Sequence, residues 1–278
     1  KAIKNDIAIY AIHTNLDNVS DGVNSMLAEK LGIKNPSILS SGISRLNKIV
    51  TFCPSKNAED IREAMFSAGA GHIGNYDNCS FNSEGKGSFK ALEGTNPYVG
   101  KQGKVHFENE TRIETVVPDY KTNIVVNALI EAHPYEEVAY DIYPLDNIHK
   151  KTGAGMIGKL DKPMSITDYL QLVKKALNIK YLKHNKLINK QVETVAICGG
   201  SGSFLIDKAA RQKADLYRSG DIKYHEFFEH QGIMTIVDAG HYETEQYTKE
   251  LIHAILTKKF PNFAIRISET NTNPVSFL

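Results

Sequence analysis

The sequence predicts an α/β protein, a main domain with a mixed or parallel sheet flanked by helices, interrupted by an inserted ferredoxin-like α+β domain. Apolar runs of strand length recur near both ends of the chain, each passing through small or polar residues into a helix-period pattern. Between them, roughly from Arg45 to Asn147, the order reads strand, helix, two strands, helix, strand, which is the ferredoxin-like pattern. The segment from Lys150 to Leu160 then returns the chain to the main sheet. The implied domains are residues 1–44 with 148–278, and the insert 45–147.

In chain order, the first predicted strand is Asp6 to Ile12, followed by His13-Thr14-Asn15-Leu16-Asp17 and a helix from about Gly22 to Leu31, stopped by Gly32. In the insert, strands are expected at Lys48 to Cys53, His72 to Phe81, Lys104 to Val117 and Val138 to Tyr143, with helices at Ser55 to Ala68 and Lys121 to Ala132. The Gly-, Asn- and Ser-rich stretch from Asn82 to Gly103 reads as an exposed loop. Three further units follow. Val195 to Cys198 runs into Gly199-Gly200-Ser201-Gly202-Ser203 and a helix; Asp215 to Ser219 runs into Gly220-Asp221-Ile222-Lys223-Tyr224-His225-Glu226. Ile233 to Asp238 runs into Ala239-Gly240-His241-Tyr242-Glu243-Thr244-Glu245 and a helix to about Lys258, and Phe263 to Ile267 is read as a last strand.

Composition narrows the function. Lys plus Arg (33) balance Asp plus Glu (32), so no broad positive field exists to hold a phosphate backbone, and nucleic acid is not favoured as a partner. No apolar run approaches the ~20 residues that span a bilayer, no signal peptide is visible, and the cytoplasm is the expected compartment. Cys53, Cys79 and Cys198 have no Cys-x-x-Cys spacing and read as small apolar residues rather than as disulfides or a zinc cluster. The chain opens on Lys1-Ala2-Ile3-Lys4-Asn5 without methionine, which leads us to expect further residues before Lys1.

In an open parallel sheet, ligands bind beyond the carboxyl ends of the strands, where loops converge. His13 and Asp17 follow the first predicted strand, Asp221 and His225 a later one, His241 and Glu245 the last. This set of nitrogen and oxygen donors suits Zn, Fe, Mn or similar divalent ions. His241 and Glu245, four apart at the start of a helix, project from one face and can reach a single centre. The plainer readings are a surface His–Glu pair, an Asp17 that merely precedes a helix, and core histidines at His13 and His225. The glycine turn at residues 199–203 offers backbone N–H groups to an anion, or lets helix and strand pack closely. His133 either faces the main site or favours a helix C-terminus.

The motifs His13-Thr14-Asn15-Leu16-Asp17, Gly220-Asp221-Ile222-Lys223-Tyr224-His225-Glu226 and Gly240-His241-Tyr242-Glu243-Thr244-Glu245 resemble, in order, those of the Nif-three-like family, also labelled GTP cyclohydrolase 1 type 2 homologues. The Gly94-Thr95-Asn96-Pro97-Tyr98-Val99-Gly100 and Ala132-His133-Pro134-Tyr135-Glu136-Glu137 segments resemble the insert of its longer bacterial members. The resemblance implies a homohexamer of two-lobed subunits, an insert similar to PII and CutA domains, and a dinuclear centre holding two divalent ions (Zn, Fe, Mn or Co). By that resemblance Asp17, His241 and Glu245 are metal ligands, with Glu245 bridging, and His13 and His225 line the cavity as catalytic groups. Two further ligands come, in the family, from a His-His-Pro-like motif upstream of the first strand; none precedes Lys1 here, so the metal is expected to be depleted in this chain.

Two functions follow as expectations. One is a metal-dependent hydrolase acting on a nucleotide or phosphorylated small molecule, with His225 or His13 moving protons. The other is a metal-binding regulatory or interaction factor whose insert senses a ligand, since fold and metal do not fix a reaction.

Overall fold

The computed structural model describes every residue except 43, 189, 190, 277 and 278. The chain divides into two compact units, Lys1–Ser41 with Lys150–Leu278, and Gly42–His149. It is mixed α/β, with one sheet in each unit.

Near the start of the first unit, Ile7 to Ala11 are exposed and Ile12 is half-buried, and the expected strand does not form; Ile9 is 80% and Tyr10 85% exposed. Apolar β-branched residues favour a strand only where a neighbouring edge accepts their backbone groups, and no described strand pairs with this run. A single-turn helix α1 (Thr14–Asp17) and the helix α2 (Val23–Lys30) follow. Gly32, at φ 70°, ends α2 as foreseen and leads into β1 (Ile33–Ser41), a strand the sequence reading missed.

The chain then builds the second unit from β2 (Arg45–Pro54), α3 (Ala58–Ser67), β3 (Ser80–Lys90), β4 (Val105–Pro118), α4 (Thr122–Ala132) and β5 (Tyr140–Ile148). Its sheet runs β3-β4-β2-β5 with every neighbouring pair antiparallel. Ile49, Ile61, Met65, Ile113, Val125 and Leu129 close its core between helices and sheet. The second strand lies later than expected: Ser80 to Lys90 pairs residue by residue with Val105 to Thr115, so much of the presumed loop is an exposed hairpin arm. Its Gly, Ser and Lys content hid a ladder that needs only backbone groups.

Back in the first unit come β6 (Gly153–Ser165), α5 (Ile166–Ala176), β7 (Lys183–His184), β8 (Gln191–Ser201), α6 (Ile206–Arg211), β9 (Leu216–Gly220), β10 (Thr235–Asp238), α7 (His241–Glu245) and α8 (Thr248–Lys259). The sheet order is β1-β6-β8-β9-β10-β7. The pairs β8–β9 and β9–β10 are parallel, and the pairs β1–β6, β6–β8 and β10–β7 are antiparallel. Val195, Ala196 and Ile197 are buried on both faces, as a continuous apolar run demands of a central parallel strand. One face packs against α2 and α5 and the other against α6. In α5, Ile166, Tyr169, Leu170 and Val173 are buried at the spacing of one helical stripe, and Ser165 Oγ accepts the N–H of Asp168 as N-cap. The expected strand at Phe263 to Ile267 does not form; Phe263 is 76% exposed and no described strand adjoins it. No described helix is long and apolar enough to cross a membrane.

Candidate metal centre

The three parallel strands end side by side, and each exit is shaped by a glycine. Gly220 leaves β9 so close to the start of α7 that a Cβ there would lie 2.9 Å from His241 N and Cα. Gly200, at φ 62°, leaves β8 where a Cβ would collide with Glu245 Oε1. Only glycine combines that left-handed backbone with that contact at no steric cost. Gly240, at φ 84°, turns the chain from β10 into α7. Asp238, buried at the end of β10, steadies that turn: its Oδ1 accepts the N–H of Gly240 (2.9 Å) and its Oδ2 pairs with Lys183 Nζ (2.7 Å).

These exits put His241 between two carboxylates. Its Nδ1 is 2.6 Å from Asp221 Oδ2 and its Nε2 3.1 Å from Glu245 Oε2. The hydrogen bond to Asp221, reinforced by the charge of Glu245 and opposed by burial, raises the imidazole above its ordinary value. Asp221 sits at φ 55°, a left-handed conformation that Asp tolerates better than most residues.

Asp17 arrives from the other end of the chain. Its carboxyl is raised first by burial and next by the charge of Glu245, against smaller opposing effects of His13 and His241. The structure thus brings Asp17, Glu245, His241 and His13 into one electrostatic neighbourhood. Asn24, buried in α2, helps hold it together: its Nδ2 donates to Asp17 O (3.0 Å) and its Oδ1 accepts the N–H of Gly199 (2.8 Å). Thr244 Oγ1 likewise accepts the N–H of Gly200 (2.9 Å). Sequence reasoning missed both residues; an Asn in the first turn of a helix is unremarkable and gave no signal. With the N–H groups of Gly199 and Gly200 already engaged, this part of the glycine turn serves close packing rather than an anion.

His225 stands exposed on the turn at Tyr224–Phe228, its ring set edge-on to Tyr224 with centroids 5.3 Å apart. No described contact joins it to His241, Asp221 or Glu245. His133 belongs to the second unit's interior. Its Nδ1 accepts the N–H of Tyr135 (3.1 Å), so its Nε2 carries the proton donated to Phe52 O (3.0 Å). Cys53 and Cys198 are buried as expected, whereas Cys79 is half-buried. Burial pushes the Cys198 thiol up to about 12, which keeps it from serving as a thiolate near neutrality.

Asp221, His241 and Glu245 line a cavity of about 1070 Å³ together with Asp238, Glu243 and Asn273; Asp17 stands outside that lining. Among the described residues, no three His, Cys, Asp or Glu side chains are gathered tightly enough to hold one ion as they stand. The donors nevertheless fit a divalent ion in kind. The charge of Glu245 disfavours the ionisation of Asp17, and a cation held by the two would relieve that repulsion.

A family model described as Duf34/NIF3 (NGG1p interacting factor 3) matches residues 1–274. The GTP cyclohydrolase 1 type 2 homolog of Halalkalibacterium halodurans is 41% identical over 285 residues, a match spanning 100% of this chain and 76% of that protein. The Bacillus subtilis protein of the same name is 40% identical over 286 residues, with 100% and 76% covered. Among solved structures, a Bacillus cereus protein related to NIF3 superposes with a TM-score of 0.85 at 40% identity, covering 99% of this chain and 75% of that one.

Proposed function

Because the chain belongs to the Duf34/NIF3 family, we propose that it is a divalent-metal-binding protein acting as a metal-dependent hydrolase on a nucleotide or phosphorylated small molecule. The name shared by its curated relatives, GTP cyclohydrolase 1 type 2 homolog, is in keeping with that substrate class. The reading is supported by the placing of Asp17, from the start of the sequence, within electrostatic reach of the His241–Glu245 pair near its end, whose side chains lie 3.1 Å apart. Asp17, His241 and Glu245 would hold the two ions, of the Zn, Fe, Mn or Co kind. Such ions, when bound, supply Lewis acidity and a water that ionises near neutral pH.

The chain's own groups have definite tasks in this reading. Asp221 hydrogen-bonds His241 Nδ1, fixes the ring, and turns Nε2 toward Glu245, as carboxylates behind ligating histidines do. His13, close enough to act on the charge of Asp17, is placed to move a proton there. His225, on the turn after β9, is assigned the same task. The adjoining cavity, about 1070 Å³, is just above the ~300–1,000 Å³ typical of small-molecule sites. We further read the second unit as a PII- or CutA-like insert, and the assembly as a cytoplasmic homohexamer.

Elemental analysis of the full-length protein after loading with Mn, Fe, Co or Zn, followed by a screen of nucleotides and phosphoesters, tests this reading. Turnover should appear with metal and fall at least about a hundredfold in Asp17→Ala and Glu245→Ala. A full-length protein that retains no transition metal would remove the basis for the proposal. A regulatory reading draws on a different feature, a cavity of about 690 Å³ in the second unit walled by Phe89, Tyr98 and Tyr135. Metal binding without turnover, accompanied by tight binding of a small ligand to that unit, would favour it.

A further inference from the structure

Arg218 lies in the middle of β9 and is 0% exposed, yet none of its guanidinium nitrogens has a hydrogen-bond partner. Two further buried groups among the described residues of the first unit share this condition, the Tyr169 hydroxyl of α5 and Thr235 Oγ1 of β10. The register places the three on one side of the sheet. Arg218 is paired with Ile197 in β8 and Val237 in β10, and Leu216 with Thr235. Side chains alternate along a strand, so Thr235, Leu216 and Arg218 point to the same face. Ile197, Leu216 and Val237 belong to the apolar cluster that also contains Tyr169.

The result is a buried guanidinium and two hydroxyls with no acceptor and no compensating charge. The groups that act electrostatically on Arg218 are Tyr169, Cys198 and Tyr217, none of them a carboxylate. Arginine does not shed its proton in a protein, and an uncompensated charge in a low-dielectric core is strongly unfavourable. Water would satisfy the donors but leave the charge. An anion does both.

We propose that Arg218, Tyr169 and Thr235 form an internal binding site for a small monovalent anion of the halide kind. All three residues are fully buried, which leaves no passage for phosphate esters or nucleotides, and the anion enters on folding or through local opening. Because it binds the native state and not the unfolded chain, it stabilises by mass action. This inference is independent of the metal reading and concerns the interior of the sheet rather than its edge.

Sodium bromide is the probe. Crystals soaked in bromide should give an anomalous peak beside the Arg218 guanidinium, absent in Arg218→Met. In solution at constant ionic strength, the melting temperature should climb by roughly 3 °C for each tenfold rise in bromide beyond its dissociation constant. That dependence should vanish in Arg218→Met, which at low halide should be the more stable protein because the buried charge is gone. Tyr169→Phe keeps the ring and should weaken the bromide dependence, so the question stays open to test even where Arg218→Met fails to fold. Ordered water or a side-chain carboxylate at the guanidinium in place of bromide overturns the proposal, as does a wild-type melting temperature indifferent to bromide.

Discussion

His241 in the first unit is pinned between the carboxylates of Asp221 and Glu245 at a sheet edge, whereas His133 in the second is closed into the interior between a backbone carbonyl and a backbone N–H. The same side chain is therefore pushed in opposite directions. Acidic neighbours favour the imidazolium of His241, while burial favours the neutral ring of His133. A histidine whose partners are main-chain groups positions the fold, and one whose partners are carboxylates can exchange them for a ligand. That difference separates the two units more sharply than their sheets do.

The comparison can be broken most forcefully at His133. His133→Ala leaves Phe52 O and the Tyr135 N–H without their partners in a buried place and should cost about 2–4 kcal/mol in denaturant unfolding, with metal uptake by the folded protein unaltered. Gly200→Ala tests the other unit. A side chain at φ 62° that also displaces the Glu245 carboxylate should cost about 1–2 kcal/mol and weaken metal binding as well. An effect on stability alone would show that Glu245 is not a ligand.

Titration sharpens the contrast with less disturbance. His241 has its folded value raised above 6.5, so its contribution to stability is complete below that pH and is lost as pH climbs through the folded value. His133 has its folded value lowered, so its contribution is present above 6.5 and lost as pH falls through the folded value. Imidazole NMR signals should therefore titrate on opposite sides of 6.5, and His241→Gln should flatten the alkaline limb of the stability profile only. Finally, His225→Ala should change stability by less than about 0.5 kcal/mol, since its ring is exposed and touches only Tyr224 among described contacts. Activity lost without loss of stability would then give His225 the proton-moving role.

The parts of the fold legible in the sequence are those where one physical cause dominates. Val195 to Cys198 and Met234 to Val237 are buried on both faces and run on into glycine, so strand and exit could be read together, although the second strand starts at Thr235 and leaves Ile233 exposed. The run at Ile7 to Ile12 was equally apolar but met no neighbouring edge, and β1, with Pro36 and mostly exposed residues, gave no periodic signal at all. The helix α5 carried a Ser165 cap and a clear apolar stripe and was legible but passed over. At the site, the four-residue spacing of His241 and Glu245 announced a shared face. Asn24 and Thr244 escaped notice because they act on backbone groups of Gly199 and Gly200 that only the tertiary fold brings near. Arg218 escaped for the opposite reason, since a charge within a strand ordinarily signals an outward face.

The second unit is inserted between β1 and β6, which pair directly, Ser41 opposite Gly153. Closing a flexible loop of about 110 residues to make that pairing would be entropically demanding, roughly 2 kcal/mol more than closing a loop of about ten. The insert draws its own ends together, Arg45 opposite Ile148. With the insert formed, the two parts of the first unit's sheet are joined across a short tether, and the interruption falls where it adds least to the entropy of closing the β1–β6 pair.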